Sequence, residues 1–371
     1  MKFNISSAEL EKKLNVAAGI VPSKAVIAIT EDFLLDLKGN TLHITATNLN
    51  ETIHTQMEVI GDTDGTAAVP AKILLDTLKN LPEQPLTIQH DPESGVVEIS
   101  SITGKYKLAG DNPEDFPKPP EDELTQQLTI DAAVLAEAIR LTHYAVSADQ
   151  YRPALNGILL HIDFNKLIFV ATDAHRLVKY IASEIDSENS EQIILPHKPM
   201  VYLKNILPEE GPVTISYSRN RVQFEFDNTV LSTLPINEQF PDYNMAIPKE
   251  APKRMIVNRE ALLSALKRIS LYANKLTHLV VFNISDNSLT LHAQDMDYSN
   301  EATEQLGCQF NDSEPFRIGF NGKYLIEMLS TLQSEEVTFA MSSPIKPGLI
   351  YPAETEEPED LLLLLMPLVQ Q

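Results

Sequence analysis

The chain is written three times over a period of about 125 residues, and that period limits the possible folds more than any other feature of the sequence. Helix-capping residues stand at Ser7, Asp131 and Asn258, separated by 124 and 127 positions, each ahead of an apolar stripe at helical spacing. The stripes are Leu10, Leu14, Ala17 and Val21; Leu135, Ile139, Thr142 and Val146; and Leu262, Leu266, Ile269 and Ala273. A second helix is predicted in each copy over Pro70 to Leu81, Pro196 to Leu207 and Asn321 to Leu332, with Lys72, Lys198 and Lys323 separated by 126 and 125. Leu78-Lys79-Asn80 returns as Leu203-Lys204-Asn205, 125 residues on, and Phe116-Pro117 returns as Phe240-Pro241, 124 residues on. Short alternating runs such as Phe33 to Leu37, Leu42 to Ala46, Leu86 to Gln89 and Val96 to Ser100 read as strands. A unit of this length has its own core, so the period describes three α+β domains rather than a solenoid. The expected domains are 1-122, 128-247 and 253-371, joined by connectors rich in proline and charge near 118 to 127 and 246 to 254.

The formal charge of −23 sets a long-range field that repels phosphate, which argues against a protein that coats nucleic acid indiscriminately. The distribution is more telling than the sum. Lys12, Lys72, Lys79, Arg140, Lys198, Lys204, Lys267, Arg268 and Lys323 fall on the predicted solvent sides of the six helices, while acidic residues gather in connectors such as Glu121-Asp122-Glu123 and Glu354 to Asp360. For one helix this would be ordinary solvation, but six helices of one bias in an acidic chain make a basic surface. The single cysteine, Cys308, excludes an intrachain disulfide and fits a reducing compartment. The start Met1-Lys2-Phe3-Asn4-Ile5-Ser6 lacks a signal-peptide pattern, and the Leu361 to Leu365 run is far shorter than the roughly 20 residues that span a bilayer. A cytoplasmic location is therefore expected, with no membrane partner.

The middle copy carries what its sisters lack. Ile158 to Ile162 and Leu167 to Ala171 form a predicted strand pair around the turn Asp163-Phe164-Asn165-Lys166, which brings Arg152 and Leu155 near Arg176. Ala171-Thr172-Asp173 has counterparts in Ala46-Thr47-Asn48 and Ala293-Gln294-Asp295, yet only the middle copy continues through Ala174 into His175-Arg176-Leu177. An enzymatic reading would pair Asp173 with His175, or make metal ligands of His292, Asp295 and Asp297. No nucleophile motif of the Gly-x-Ser-x-Gly kind and no glycine-rich phosphate loop supports it. The plainer expectation is that Asp173 bonds turn amides and His175 borders an apolar groove.

With these residues in place the chain resembles the bacterial β sliding clamps, the processivity subunits of replicative DNA polymerase III. The resemblance spans the whole length: the threefold repeat, Arg152 with Leu155-Asn156-Gly157, Thr172-Asp173-Ala174-His175-Arg176-Leu177, Phe240-Pro241-Asp242-Tyr243, Asn321 with Tyr324, and the Met366-Pro367-Leu368 ending. It implies a head-to-tail homodimer whose six clamp domains close into a ring, helices inside and sheets outside, around double-stranded DNA. Contacts to backbone phosphate without base readout would let such a ring slide. By position it adds Lys24 and Gln150 to the DNA-facing set. It further implies a partner groove formed by Arg152, Leu155, Thr172, His175, Arg176, Leu177, Pro241, Asn321, Tyr324, Leu364, Leu365, Met366, Pro367 and Leu368. Leu155, Leu177, Leu365, Met366 and Leu368 would hold Leu and Phe side chains of an extended peptide, with Arg152, Arg176 and Asn321 bonding its polar groups. Pro344 and Pro347 match the family's wall positions only loosely. Tyr106 and Leu108 on an edge strand, with Leu271 and Tyr272 in the third copy, match its dimer interface.

The implied function is tethering of the replicative polymerase catalytic subunit, the clamp loader and other clamp-binding proteins to DNA at the nucleoid, with no catalysis, cofactor or metal. Three departures alter detail: Ala174 where glycine is common, Met245-Ala246 where a basic residue and an aliphatic are common, and Leu368-Val369-Gln370-Gln371 in place of a basic-plus-Leu ending. The competing expectation is a three-domain scaffold or adhesion protein that does not encircle DNA.

Overall fold

The computed structural model describes residues 1–118, 124–183, 190–354 and 360–368. The acidic Glu121-Asp122-Glu123, most of the Glu354 to Asp360 run and the Val369-Gln370-Gln371 ending lie outside the described residues. The helices among the described residues are α1 (Ser7–Ala18), α2 (Ala71–Lys79), α3 (Ala132–Thr142), α4 (His197–Ile206), α5 (Arg259–Ile269) and α6 (Gly322–Thr331), two for each repeat.

Apolar spacing determines which face of each helix is buried. Leu10, Leu14 and Ala17 of α1 have no exposed surface, nor do Leu262, Leu266 and Ile269 of α5. Each such leucine or isoleucine contributes roughly 1.5–3 kcal/mol. The predicted stripes overrun the helices. Val21 lies past the end of α1, while Val146 and Ala273 follow the short 3-10 turns His143–Ala145 and Ser270–Tyr272.

Capping separates the copies. Asp131 accepts a hydrogen bond from Ala133 N at 2.9 Å and Asn258 one from Ala261 N at 3.0 Å, as N-cap residues do. The expected cap at Ser6-Ser7 does not form. Ser7 Oγ instead donates to Pro82 O and accepts from Gln84 N, both at 3.1 Å, because Ser7 is buried against the segment that follows α2.

The chain divides into two compact units, and the division falls within α3 and α4. The first unit, Met1–Leu135 with Tyr202–Pro235, holds an eight-stranded and a five-stranded antiparallel sheet. In the larger sheet, strand Thr229–Thr233 of the middle repeat pairs with Glu51–Glu58 of the first, with Leu231 opposite Ile53. The second unit, Ala136–Val201 with Ile236–Gln371, holds a nine-stranded and a four-stranded sheet. There Arg176–Ser183 of the middle repeat pairs with Leu361–Leu365 of the third, with Leu177 opposite Leu364.

These junctions obey one rule: the third long strand of a repeat takes the last strand of the next repeat as its neighbour. Applied again, the rule calls for a partner for Asn300–Gly307, the edge of the four-stranded sheet. It also calls for one for Lys105–Ala109, the edge of the five-stranded sheet. Neither has one within its sheet.

Candidate functional site

The turn from strand Lys166–Thr172 into strand Arg176–Ser183 is fixed by its own side chains. Asp173 Oδ1 accepts from His175 N and Arg176 N, each at 2.9 Å, so the carboxylate binds turn amides instead of the His175 ring. Thr172 Oγ1 donates to Arg176 O at 2.6 Å and accepts from Ala174 N at 3.1 Å. Ala174 has φ +73°, a left-handed conformation that a Cβ makes costly and that these bonds hold in place.

Alternation sends consecutive residues of strand Arg176–Ser183 to opposite faces. Arg176 is 6% exposed; its Nε donates to Asp173 Oδ2 at 3.1 Å, Nη1 to Glu327 Oε2 at 2.5 Å and Nη2 to Tyr144 O at 2.6 Å. Its guanidinium lies 4.4 Å from the Tyr324 ring centre and 5.2 Å from that of Tyr144. Burial, with Asp173 next in effect, raises the Tyr324 hydroxyl above the usual phenol range. The expectation that Arg176 bonds a peptide is thus corrected, because its nitrogens are committed within the protein. Asn321 uses its Oδ1 to cap α6, accepting from Lys323 N at 3.0 Å and Tyr324 N at 3.2 Å, which leaves its side-chain amide as the group that could meet a peptide.

On the other face Leu177 joins Leu155, Leu364, Phe240 and Tyr243 in one apolar cluster. Leu365, expected in the groove, faces the opposite way. It pairs with Arg176 in register, has no exposed surface and packs into the cluster of Phe320, Phe339 and Ile350. Thr172 is buried, and Pro241 is exposed beside Phe240. Arg152 keeps an exposed guanidinium while its Nε donates to Asp149 Oδ2 at 2.9 Å.

The chain's end is held at the same turn. Met366 N donates to His175 O and Leu368 N to Gly319 O, both at 2.8 Å. A Cβ at Gly319 would stand 2.9 Å from Leu368 O, so glycine is what allows this approach. Met366 remains 39% exposed, Pro367 and Leu368 are half-buried, and the exposed His175 ring stacks on Tyr324 with centroids 6.2 Å apart. Exposed Met245 and half-buried Ile247, just beyond Pro241, extend the apolar border. Their signal in the sequence was a run of apolar residues in a segment with no helical or strand period.

Among the basic candidates, Lys12, Lys24, Lys72, Lys79, Lys198, Lys267 and Lys323 are exposed, as is Gln150, and Lys204 is half-buried. Two arginines differ from expectation. Arg140 binds Glu137 at 2.5 and 2.6 Å and Thr331 O at 2.8 Å, which leaves its charge neutralised. Arg268 makes a two-point pair with Glu304 at 2.7 and 2.9 Å. Of the edge candidates, Tyr106, Leu271 and Tyr272 are 37%, 70% and 44% exposed, but Leu108 at 6% faces its own core. The exposed Leu276, Met296 and Tyr298 were missed. Two large apolar side chains in the turn Met296-Asp297-Tyr298-Ser299 were the sign to look for. Asp295 Oδ1 binds Asp297 N at 3.1 Å, a turn bond rather than a metal-ligand arrangement.

Three repeats joined strand to strand, two unpaired sheet edges, exposed lysines on the helices and an apolar cluster at a sheet junction are the features of a ring-forming DNA clamp. Profiles described as the N-terminal, central and C-terminal domains of the DNA polymerase III beta subunit match residues 1–120, 129–242 and 244–367, and the chain belongs to that family. The beta sliding clamp of Vibrio cholerae is 29% identical over 370 residues, covering 99% of this chain and 100% of its own. Sliding clamps bound to griselimycin from Pseudomonas aeruginosa and Bartonella birtlesii superpose with TM-scores of 0.94 and 0.93 at 26% and 27% identity. Both comparisons cover 100% of each chain.

Proposed function

We propose that two copies of this chain join head to tail into a six-domain ring that slides on duplex DNA and tethers replication proteins to it. The protein is a DNA sliding clamp, the non-catalytic processivity subunit of a DNA polymerase III holoenzyme. The observation that carries the ring is the junction rule. Each internal junction pairs a third strand with a last strand, and one of each is left over, Asn300–Gly307 and Lys105–Ala109. An exposed edge is an aggregation hazard, and a head-to-tail contact removes both edges at once. Lys105 and Lys107 pair with Glu98 and Glu304 with Arg268, so the pairing rests on the strand edges, with charge a minor contribution.

The exposed lysines of the helices are assigned to phosphate. Their contacts carry no sequence information, and the acidic remainder of the surface limits adhesion elsewhere. The groove over Leu155, Leu177 and Leu364, rimmed by Arg152, His175, Pro241, Tyr324 and Met366, is assigned to short apolar peptide segments of the polymerase, the clamp loader and other partners, which compete for it. The expected compartment is the cytoplasm, at the nucleoid. Loading on nicked circular DNA followed by linearisation tests topology: the clamp should slide off free ends, and retention there would rule out encirclement. A scaffold that binds DNA by charge alone would give the same retention before and after cutting.

A further inference from the structure

The first repeat contains a cleft of about 620 Å³ that the clamp function does not explain. It lies between the end of α1, the segment from Val21 to Asp32, and α2. Its charged lining is Glu31, Asp32, Asp76 and Asp111 against Lys72 and Lys79, four carboxylates to two ammonium groups. Lys72 and Lys79 are exposed and can turn to solvent, but Asp32 cannot. It is 3% exposed, and its Oδ2 is buried with no hydrogen-bond donor.

The fold forces a second carboxyl group onto it. Asp32 begins strand Asp32–Lys38 and pairs with Pro70, while Asp111 N bonds Ala68 O two residues earlier on the same neighbouring strand. A Cβ at Gly110 would stand 2.7 Å from Ala68 O, so glycine there permits the approach that delivers Asp111. Both carboxyl groups line the same cleft. A buried carboxylate with no donor, facing a second carboxylate across one cleft, calls for a proton or a cation.

We propose that Asp32 and Asp111 bind a hydrated divalent cation of the Mg²⁺ class at the floor of this cleft. No cluster of three or more potential ligands occurs among the described residues, so the protein supplies two carboxylates and water completes the shell. Mg²⁺ is commonly held in this way, by one or two carboxylates with several retained waters, and an about millimolar affinity is expected. The bound ion cancels the charge of Asp32 and Asp111 and takes the formal charge of the charged lining, four carboxylates and two ammonium groups, from about −2 to about zero. Lys72 and Lys79 then face phosphate without the opposing charge of the floor.

The test uses Mn²⁺ as the probe and full-length protein at pH 7.5. Electron paramagnetic resonance of free Mn²⁺ gives the bound ion per chain, and added Mg²⁺ competes. One site per chain is expected, weakened about tenfold or more in both Asp32→Asn and Asp111→Asn. Asp115→Asn, outside the cleft, should leave it intact. Because Asp111 is exposed, its variant reports on the site without a buried change. Unchanged Mn²⁺ binding in the two variants, or no binding at millimolar Mn²⁺, overturns the assignment in favour of a shared proton. Displacement by spermidine with no competition from Mg²⁺ also overturns it, since the site would then take an organic cation.

Discussion

Arg176→Ala tests whether this residue holds the groove together or merely lines it. The substitution removes a guanidinium whose side chain is 7% exposed and leaves the carboxylates of Asp173 and Glu327 without their cation. Breaking a buried ion pair by deleting one partner costs about 3–5 kcal/mol. That range is an upper bound here, because Glu327 is 38% exposed and regains water. Asp173 keeps its bonds from His175 N and Arg176 N. A loss of about 2–3 kcal/mol is expected, which for a unit of this size lowers Tm by roughly 4–12 °C. Arg176→Lys should recover only part of the loss, since an ammonium cannot reach Asp173, Glu327 and Tyr144 O together in the planar fork. Calorimetry of wild type, Arg176→Ala, Glu327→Gln and the double variant gives the coupling between the two side chains. A Tm change under about 2 °C for Arg176→Ala, or no coupling to Glu327, would refute the structural role. Binding of a Leu- and Phe-containing peptide, measured well below Tm, supplies the second readout. The apolar floor is on the opposite face of the strand, so affinity should fall by less than about tenfold.

Ala174→Gly relieves the positive φ and should stabilise the protein by about 0.5–1 kcal/mol, read as a small rise in Tm; a fall would mean that the Cβ makes a contact that matters. Replacing Met366 and Leu177 together with alanine should abolish peptide binding while the dimer persists in analytical ultracentrifugation, and loss of the dimer would show that the groove is misplaced. Changing Lys105 and Lys107 to glutamate brings like charges to Glu301 across the proposed closure and should weaken the dimer at low salt, less so at high salt. Burial is the largest cause lowering both His54 and His197 below the ordinary histidine value of 6.5. Their folded-state values are depressed, so the stability they contribute is complete above that value and is lost as pH falls through it. His54→Gln and His197→Gln should each flatten the decline in Tm between about pH 7 and pH 5, and parallel curves would contradict the burial argument.

The repeat was legible because it rests on local patterns, caps and stripes, that recur at a fixed offset. Asp131 and Asn258 cap as their residue types predict, whereas Ser7 resembles a cap in sequence but is claimed by Pro82 and Gln84, 75 and 77 residues away. Long-range claims of that kind leave no local mark. The same limit explains Arg140 and Arg176. A periodic pattern says that an arginine is off the apolar stripe, but not that Thr331 O or Glu327, 191 and 151 residues distant, will occupy it. Leu364 and Leu365 show the other limit. A run of five leucines has no period, so only the pairing of Leu364 with Leu177 and of Leu365 with Arg176 decides which faces the groove.

That pairing also makes the last strand serve two purposes. Leu361–Leu365 closes the junction between the middle and third repeats, and one residue further on Met366 bonds the turn that presents His175. Substitutions on the strand therefore act on both properties. Leu365→Ala would open a cavity beside Phe320 and Phe339 at about 2–5 kcal/mol, and any loss of peptide affinity would follow from the loosened junction. Substitutions at Met366 or His175, whose side chains are exposed, touch the groove alone. A groove built on a junction is available only where two repeats are already joined within one chain. The junction between the first and middle repeats offers the same strand pairing but places Asn48, Leu49 and Asn50 where the other has Asp173, Ala174 and His175. The same strand pairing at both junctions is thus compatible with the one proposed groove per chain, and the turn at Asp173, Ala174 and His175 is one place where the two junctions differ.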